Sequence, residues 1–458
     1  MSEDLAARID MARVRADLTE LVSFASIHID PDRRDDCRGS AQWVANAFAA
    51  EGIPTEVHQT IDGSFAVTGY RPAGSAHARS AGGQRPTVLL YSHHDVQPTG
   101  PAEHWSSDPF TLTERTVPAD RAGARGVRWF GRGSADCKGN IIAHLSALRA
   151  VDLDALDVGI RIVIEGSEEA GGEGLEHLLA TRPELFEADV VIIGDTGNVA
   201  AGTPTLTTSL RGVANLRVTV QTLAAEVHSG QFGGAAADAL AALIAGLASL
   251  RGPDGATTID GLRADQSWTG APYDTVQFRA DSTTRAGVDV LGVPADRVWA
   301  QPAVTVIGID APATDQAANA IVPTASAMLN LRVPPGQDAA EAQRLLAEHL
   351  RAHIPWQAQV TIEPGAVGKP FSASTTGPGY RALTAALSEA YGTPVVHSGQ
   401  GGSIPLCTAL QEAFPAAEIA LLGVEEPLCR IHAADESVDP NEIRRIALAE
   451  AIFLTKGL

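Results

Sequence analysis

Histidines and carboxylates stand directly behind short apolar runs of this sequence. TVLLY at 87–91 leads into Ser92-His93-His94-Asp95, IRIVI at 160–164 into Glu165-Gly166-Ser167-Glu168-Glu169, and VVII at 190–193 into Gly194-Asp195. IALL at 419–422 is followed by Arg430-Ile431-His432, and Asp136 lies in the glycine-flanked segment GRGSADCKG at 131–139. Carboxylates gathered at one place repel one another unless a cation compensates them. Imidazole and carboxylate ligands without thiolates suit Zn²⁺, with Mn²⁺ or Co²⁺ as alternatives. Five such ligands exceed what one tetrahedral catalytic zinc takes. They suit two metals about 4 Å apart that share a bridging carboxylate and a hydroxide.

The four apolar runs have the length and composition of buried strands, and helical patterns lie between them, including 140–151. Buried strands alternating with helices imply an α/β domain with a mostly parallel sheet covered on both faces. The ends of parallel strands gather at one edge, where open α/β folds bind ligands. The middle of the chain reads differently. Strands at 213–221, 303–309, 326–333 and 357–363 and helices at 235–250 and 339–354 follow the order βαββαβ, that of a ferredoxin-like unit. The expected organisation is a discontinuous metal-binding domain, 1–210 and 369–458, interrupted by a lid or dimerisation domain at 211–368. Residues 251–301 form a long Gly-, Asp- and Thr-rich excursion within it. Stretches at 72–85 and 119–126 read as surface loops.

Of 458 residues, 45% are hydrophobic and 19% charged, which excludes a disordered chain. Acidic residues outnumber basic ones 55 to 34, and the formal charge of −21 repels nucleic acid and anionic membranes as partners. The four cysteines, Cys37, Cys137, Cys407 and Cys429, show no CxxC spacing, so neither a disulfide scaffold nor a thiolate zinc site is expected. The first residues are charged and helical, with no basic start followed by an apolar run, so the expected localisation is cytoplasmic.

At these residues the sequence resembles the M20 metallopeptidases, the family of aminoacylase, carnosinase and carboxypeptidase G type. SHHDVQP at 92–98, GRGSADCKG at 131–139, EGSEEAGG at 165–172, GD at 194–195, HSGQFGG at 228–234, LRVPPGQD at 331–338, GGSIP at 401–405 and IHAADE at 431–436 follow the family's order. The HSGQFGG and GGSIP segments resemble most the dipeptidase branch, that of carnosinase and the cytosolic nonspecific dipeptidases. The resemblance implies that His93 and Asp195 hold one metal, Glu169 and His432 the other, and that Asp136 bridges them. It implies Glu168 as general base, with Asp95 hydrogen-bonded to the His93 imidazole and fixing its tautomer. It further implies a homodimer formed through the lid, in which His228 reaches the partner's site and stabilises the oxyanion. Arg332 and Ser403 would hold the substrate's terminal carboxylate. Where the family commonly has Asp after the bridging residue, this chain has Cys137, read as a small packing residue.

The function these features imply is dinuclear zinc-dependent hydrolysis of dipeptides or short peptides with a free C-terminal carboxylate. An N-acyl amino acid deacylase of the same family is the alternative. A non-catalytic relative has little use for Glu168, and a phosphoesterase none for Arg332. Ser403 also reads as an N-cap of the helix continuing through Leu410, while His144 and His177 read as structural.

Overall fold

The computed structural model describes residues 2–74, 85–117 and 126–457, so the loops expected at 72–85 and 119–126 lie largely outside the described residues. The chain divides into two compact units: Met1–Thr208 with Ala373–Ser398 and Ile404–Leu458, and Ser209–Ser372 with Gly399–Ser403.

The first unit begins its parallel sheet with β1 (Thr87–His93), followed by helix α1 (Lys138–Ala150), β2 (Gly159–Glu165) and β3 (Val190–Gly194). Every residue of β3 is buried, so both faces of the sheet are covered there. At Gly139, in the first turn of α1, a Cβ would collide with the Ser134 carbonyl, so the turn after Asp136 closes only on glycine.

The second unit is built from β4 (Gly212–Gln221), α2 (Ala239–Ala248), β5 (Ala303–Asp310), β6 (Thr324–Val333), α3 (Ala339–His353) and β7 (Gln359–Gly368). Its sheet has the order β5-β6-β4-β7, antiparallel throughout. That is the ferredoxin-like arrangement, and it encloses its own hydrophobic core. Helix α2 is shorter than the expected 235–250. Asp238 caps it instead of lying inside it, because its carboxylate accepts the amides of Leu240 and Ala241. In the 251–301 excursion Trp299 stacks on Tyr273 and meets Trp268 edge-on, both at 5.3 Å between ring centroids.

The chain returns to the first unit with α4 (Pro378–Tyr391), β8 (Glu418–Leu422) and α5 (Pro440–Lys456). The central sheet then has the order Thr55–Gln59, Phe65–Arg71, β2, β1, β3, β8, Thr205–Leu210. β2, β1, β3 and β8 run parallel, with antiparallel strands at the flanks. α5 packs on α1 and α4, and His144 of α1 meets Glu450 of α5 at 2.9 Å in the interior, a structural pair. A three-stranded sheet of Thr113–Val117, Gly126–Phe130 and Ser437–Val438 brings the segment before Asp136 beside the segment after His432.

Candidate metal centre

β1 ends on His93 and β3 ends one residue before Asp195, so neighbouring parallel strands deliver both to one sheet edge. The buried His93 Nε2 lies 3.0 Å from Asp136 Oδ1 and 3.1 Å from Asp195 Oδ1. Its Nδ1 faces the Asp95 main-chain oxygen at 3.0 Å and the Asp95 carboxylate at 3.4 Å. The Asp95 carboxylate is engaged elsewhere too: it accepts the amides of Glu168 and Glu169, both at 3.1 Å, and so holds the turn that presents the two glutamates.

On the other side of Asp136, Oδ2 lies 3.0 Å from His432 Nε2, which is 3.2 Å from Glu169 Oε2. His432, exposed at this edge, sits in a left-handed turn with Arg430 and Asp435 (φ 61, 55 and 59°) that departs from the regular elements around it. Gln97 donates to Glu169 Oε2 at 2.8 Å. Thus Asp136 joins two groups of donors, one with His93 and Asp195 and one with Glu169 and His432. Glu168 belongs to none of the metal-holding groups found among the described residues.

Two carboxylates that carried no assigned role in the sequence reading also belong here. Glu425 forms a buried donor group with Asp136 and Asp195. Glu436 accepts from Arg132 Nη1 at 2.7 Å and from the amides of Gly133, Ala135 and Asp136 at 3.0, 3.1 and 3.2 Å, which fixes the loop carrying the shared carboxylate. Cys137 also falls in a buried donor group with His93 and Asp195, but it and His94 are engaged by main-chain carbonyls. Cys137 Sγ donates to the Gly194 carbonyl at 2.8 Å, and burial pushes its thiol up to about 12. His94 donates to the Phe65 carbonyl at 2.7 Å, and burial pushes its pKa down to about 4.

The electrostatics test whether cations fit. Burial, reinforced by neighbouring carboxylates, pushes Asp195 up to about 6 despite His93, and pushes Glu168 and Glu425 well above the usual range. Hydrogen bonds to Asp136 and Glu169 raise His432 to about 10. Burial opposes a charge on His93, but Asp195 and Asp136 outweigh it and raise its pKa; Cys137, neutral at pH 7, supplies no charge. Protons on both imidazoles thus stand in for positive charge the carboxylates require. Hard oxygen donors with two imidazoles fit divalent cations of the zinc type.

His228, Arg332 and Ser403 fall in the second unit. His228 is exposed, pairs with Ala320 in a two-stranded ribbon, and accepts the Gly230 amide on Nδ1 at 3.0 Å. Arg332 lies on β6 and makes no ion pair among the described residues. Ser403 is no helix cap: the cap of Pro405–Ala413 is Ile404, with proline at the first helical position. The sequence reading passed over Arg211, which is 8% exposed and whose side chain bonds, among the described residues, only to the carbonyls of Arg297 and Gln301, at 3.2 and 3.4 Å. Its Nε has no partner, and burial with the nearby Arg332 lowers its pKa to about 10.

Comparison with known proteins places the chain in a family. Residues 89–455 match the family described as Peptidase family M20/M25/M40. Among similar proteins, the cysteinylglycine-S-conjugate dipeptidase of Corynebacterium striatum is 46% identical over 450 residues, 96% of this chain and 95% of the relative. The Beta-Ala-His dipeptidase of Homo sapiens is 26% identical over 71% of this chain and 66% of its own. In fold, the chain resembles the dipeptidase Dug1p of Saccharomyces cerevisiae (TM-score 0.78, 20% identity, 99% and 98% coverage) and human carnosine dipeptidase 1 (TM-score 0.76, 23% identity, 99% and 98% coverage). The resemblance carried by the motifs is therefore borne out, and the chain belongs to peptidase family M20/M25/M40 as an enzyme of its metallodipeptidase type.

Proposed function

We propose that this enzyme hydrolyses dipeptides bearing a free C-terminal carboxylate at a dinuclear zinc centre. The observation that carries the reading is the two-sided Asp136 carboxylate, with Oδ1 at 3.0 Å from one imidazole and Oδ2 at 3.0 Å from the other. Such a carboxylate suits a bridge, with His93 and Asp195 on one ion and Glu169 and His432 on the other. Bound there, the ions supply Lewis acidity to the scissile carbonyl and acidify an attacking water.

The chain's own residues do the rest. Glu168, held by its amide on Asp95, takes a proton from the attacking water and delivers it to the leaving amine as the C–N bond breaks. Asp95 orients both His93 and the glutamate turn. Arg332, with Arg211 beside it and no acidic partner for either among the described residues, binds the substrate carboxylate together with Ser403. His228 of the partner subunit in a homodimer donates to the oxyanion. The relative named for cysteinylglycine S-conjugates makes S-substituted Cys-Gly the first substrate class to try. The four cysteines are buried free thiols, which supports a reducing, cytoplasmic setting.

The test is a panel of Cys-Gly, its S-conjugates, β-Ala-His and N-acetyl amino acids, assayed on metal-depleted and zinc-restored protein. We expect dipeptide cleavage to depend on restoration, with anomalous scattering showing two ions flanking Asp136. A single ion in zinc-loaded crystals, or preference for the N-acetyl substrates, overturns the reading.

A further inference from the structure

A second cluster of metal-ligating side chains lies on the inserted unit, wholly apart in sequence from the residues discussed above. His349 and His353 are one turn apart on α3 and share a helix face. Their rings stack at 4.0 Å between centroids, 22° from parallel. Asp260, from the 251–301 excursion, brings Oδ2 to 3.1 Å from His349 Nδ1 and 2.8 Å from His353 Nε2. Among the described residues only four groups of this kind occur, and the other three belong to the centre around Asp136 and Asp195.

Hydrogen bonding settles which nitrogen of His349 is unprotonated. The Ser249 hydroxyl donates to the Gly246 carbonyl at 2.7 Å, so its proton is spent. At 2.9 Å from His349 Nε2 it therefore accepts, and Nε2 carries the ring hydrogen. The Asp260 amide pointing at Nδ1 from 3.1 Å agrees, since only an unprotonated Nδ1 can accept it. The unprotonated Nδ1, which accepts the Asp260 amide, thus also has a carboxylate oxygen of the same residue at 3.1 Å, acceptor beside acceptor. A proton on His353 answers the carboxylate from one side only. One cation placed among all three atoms answers both.

The spacing points the same way. Ligand atoms about an ion bound at roughly 2.0–2.1 Å stand about 3.3 Å apart in a tetrahedron. The 3.1 Å separation at His349 falls within the 3.0–3.2 Å range among the His93, Asp136, Asp195, Glu169 and His432 donors, and the 2.8 Å one at His353 lies just below it. His349 is 2% exposed and anchored through Ser249, the outer hydrogen bond that fixes a metal-binding imidazole. The site also sits at the C-terminus of α3, where the helix dipole favours positive charge.

We propose that Asp260, His349 and His353 form a third divalent-cation site of zinc type, which clips the 251–301 excursion to the end of α3. Asp260 and His353 are exposed, so the remaining coordination positions are open to water, and an ion on Nδ1 takes the place of the Asp260 amide hydrogen bond. The proposal does not rest on the catalytic reading.

The test compares the holoenzyme with His353→Ala and Asp260→Asn, both at exposed positions, after equilibration with micromolar Zn²⁺. We expect each variant to bind one ion fewer per chain than the parent, whatever the parent's total. Anomalous scattering should place the missing ion between α3 and Asp260, and hydrolytic activity should be unchanged. Substituting Co²⁺ should give the parent an added tetrahedral absorption band that both variants lack. Equal stoichiometry in parent and variants, or no anomalous peak at Asp260, overturns the proposal.

Discussion

The two units treat buried charge in opposite ways. In the first, carboxylates collect until burial, reinforced by their own repulsion, drives Asp195 up to about 6. In the second, Arg211 loses affinity for its proton, to about 10, because burial and Arg332 press on it with no acid nearby. Other buried arginines in the first unit are conventional: Arg132 meets Glu436 at 2.7 Å and Arg128 meets Glu426 at 2.5 Å. A buried charge left unpaired is costly to the folded chain. Where the protein has paired its charges, as in Arg132–Glu436, they hold a loop in shape. Where it has left buried charges open, the proposed function supplies partners of opposite sign: cations at the centre around Asp136, a substrate carboxylate at Arg211 and Arg332.

The sharpest way to break this comparison is at the anionic end. Glu168→Gln should keep both metals and lose ~10²–10⁴-fold in turnover, because an amide cannot take the proton. Asp136→Ala should instead lose metal. Metal analysis beside turnover separates the two, and near-normal turnover in Glu168→Gln would remove it as the base.

Next in size is His228. Loss of one oxyanion donor typically costs on the order of 10²–10³ in turnover. Co-expressing His228→Ala chains with Glu168→Gln chains should restore activity if the donor comes from a partner, since some hybrid dimers own one complete site. Hybrids as inactive as their parents would show that His228 does not act across subunits.

At the cationic end, Arg332→Met and Arg211→Gln should each weaken kcat/KM for free dipeptides by about 10–100-fold, the loss of a charged hydrogen bond of roughly 1.5–3 kcal/mol. Dipeptide amides, which lack the anion, should be affected little. A variant that loses both substrates equally has lost structure and not carboxylate recognition.

The smallest effect is a control within the first unit. Asp62 is half-buried, which opposes its charge, yet hydrogen bonds from Thr60 and the Ser64 amide outweigh burial and lower it to about 2. Its folded pKa lies below the ordinary carboxylate value near ~3.9, so its stabilisation is full above that value and fades as pH falls towards 2. Asp62→Asn should therefore lower Tm at pH 6, with the gap to the parent closing below about pH 4. Zinc should leave that gap unchanged, because the protein itself satisfies this carboxylate.

The strand-end ligands were legible because a hydrophobic run followed by a polar residue states both the element and the edge it reaches. His93 ends β1, and Asp195 follows β3 directly. Glu425 and Glu436 were not legible as participants, since both lie in the loop region after β8, whose path only the three-stranded sheet determines. Arg211 fell at the junction between the two patterns, where neither period speaks for it. The Asp260–His349–His353 group escaped because its members are far apart in sequence, and α3's histidines alone read as part of an amphipathic helix. Helix ends were misjudged where a capping side chain overrode the apolar pattern, as at Asp238.

The Glu436 cradle has a consequence for how the molecule comes into being. The loop that carries Asp136 is threaded early in synthesis, but the carboxylate that receives three of its amides arrives only near the end, beyond β8. His432 is equally late. The inserted unit, complete by Ser372 apart from the short stretch Gly399–Ser403 and built around its own core, emerges in full before either. A ribosome therefore exposes a self-contained ferredoxin-like unit while the first unit is still missing β8 and α5, and domains generally fold as units during synthesis. The metal centre is among the last things to close. Nascent chains carry His93, Asp136 and Asp195 early, whereas the Glu169 side of the centre lacks its imidazole until His432 arrives.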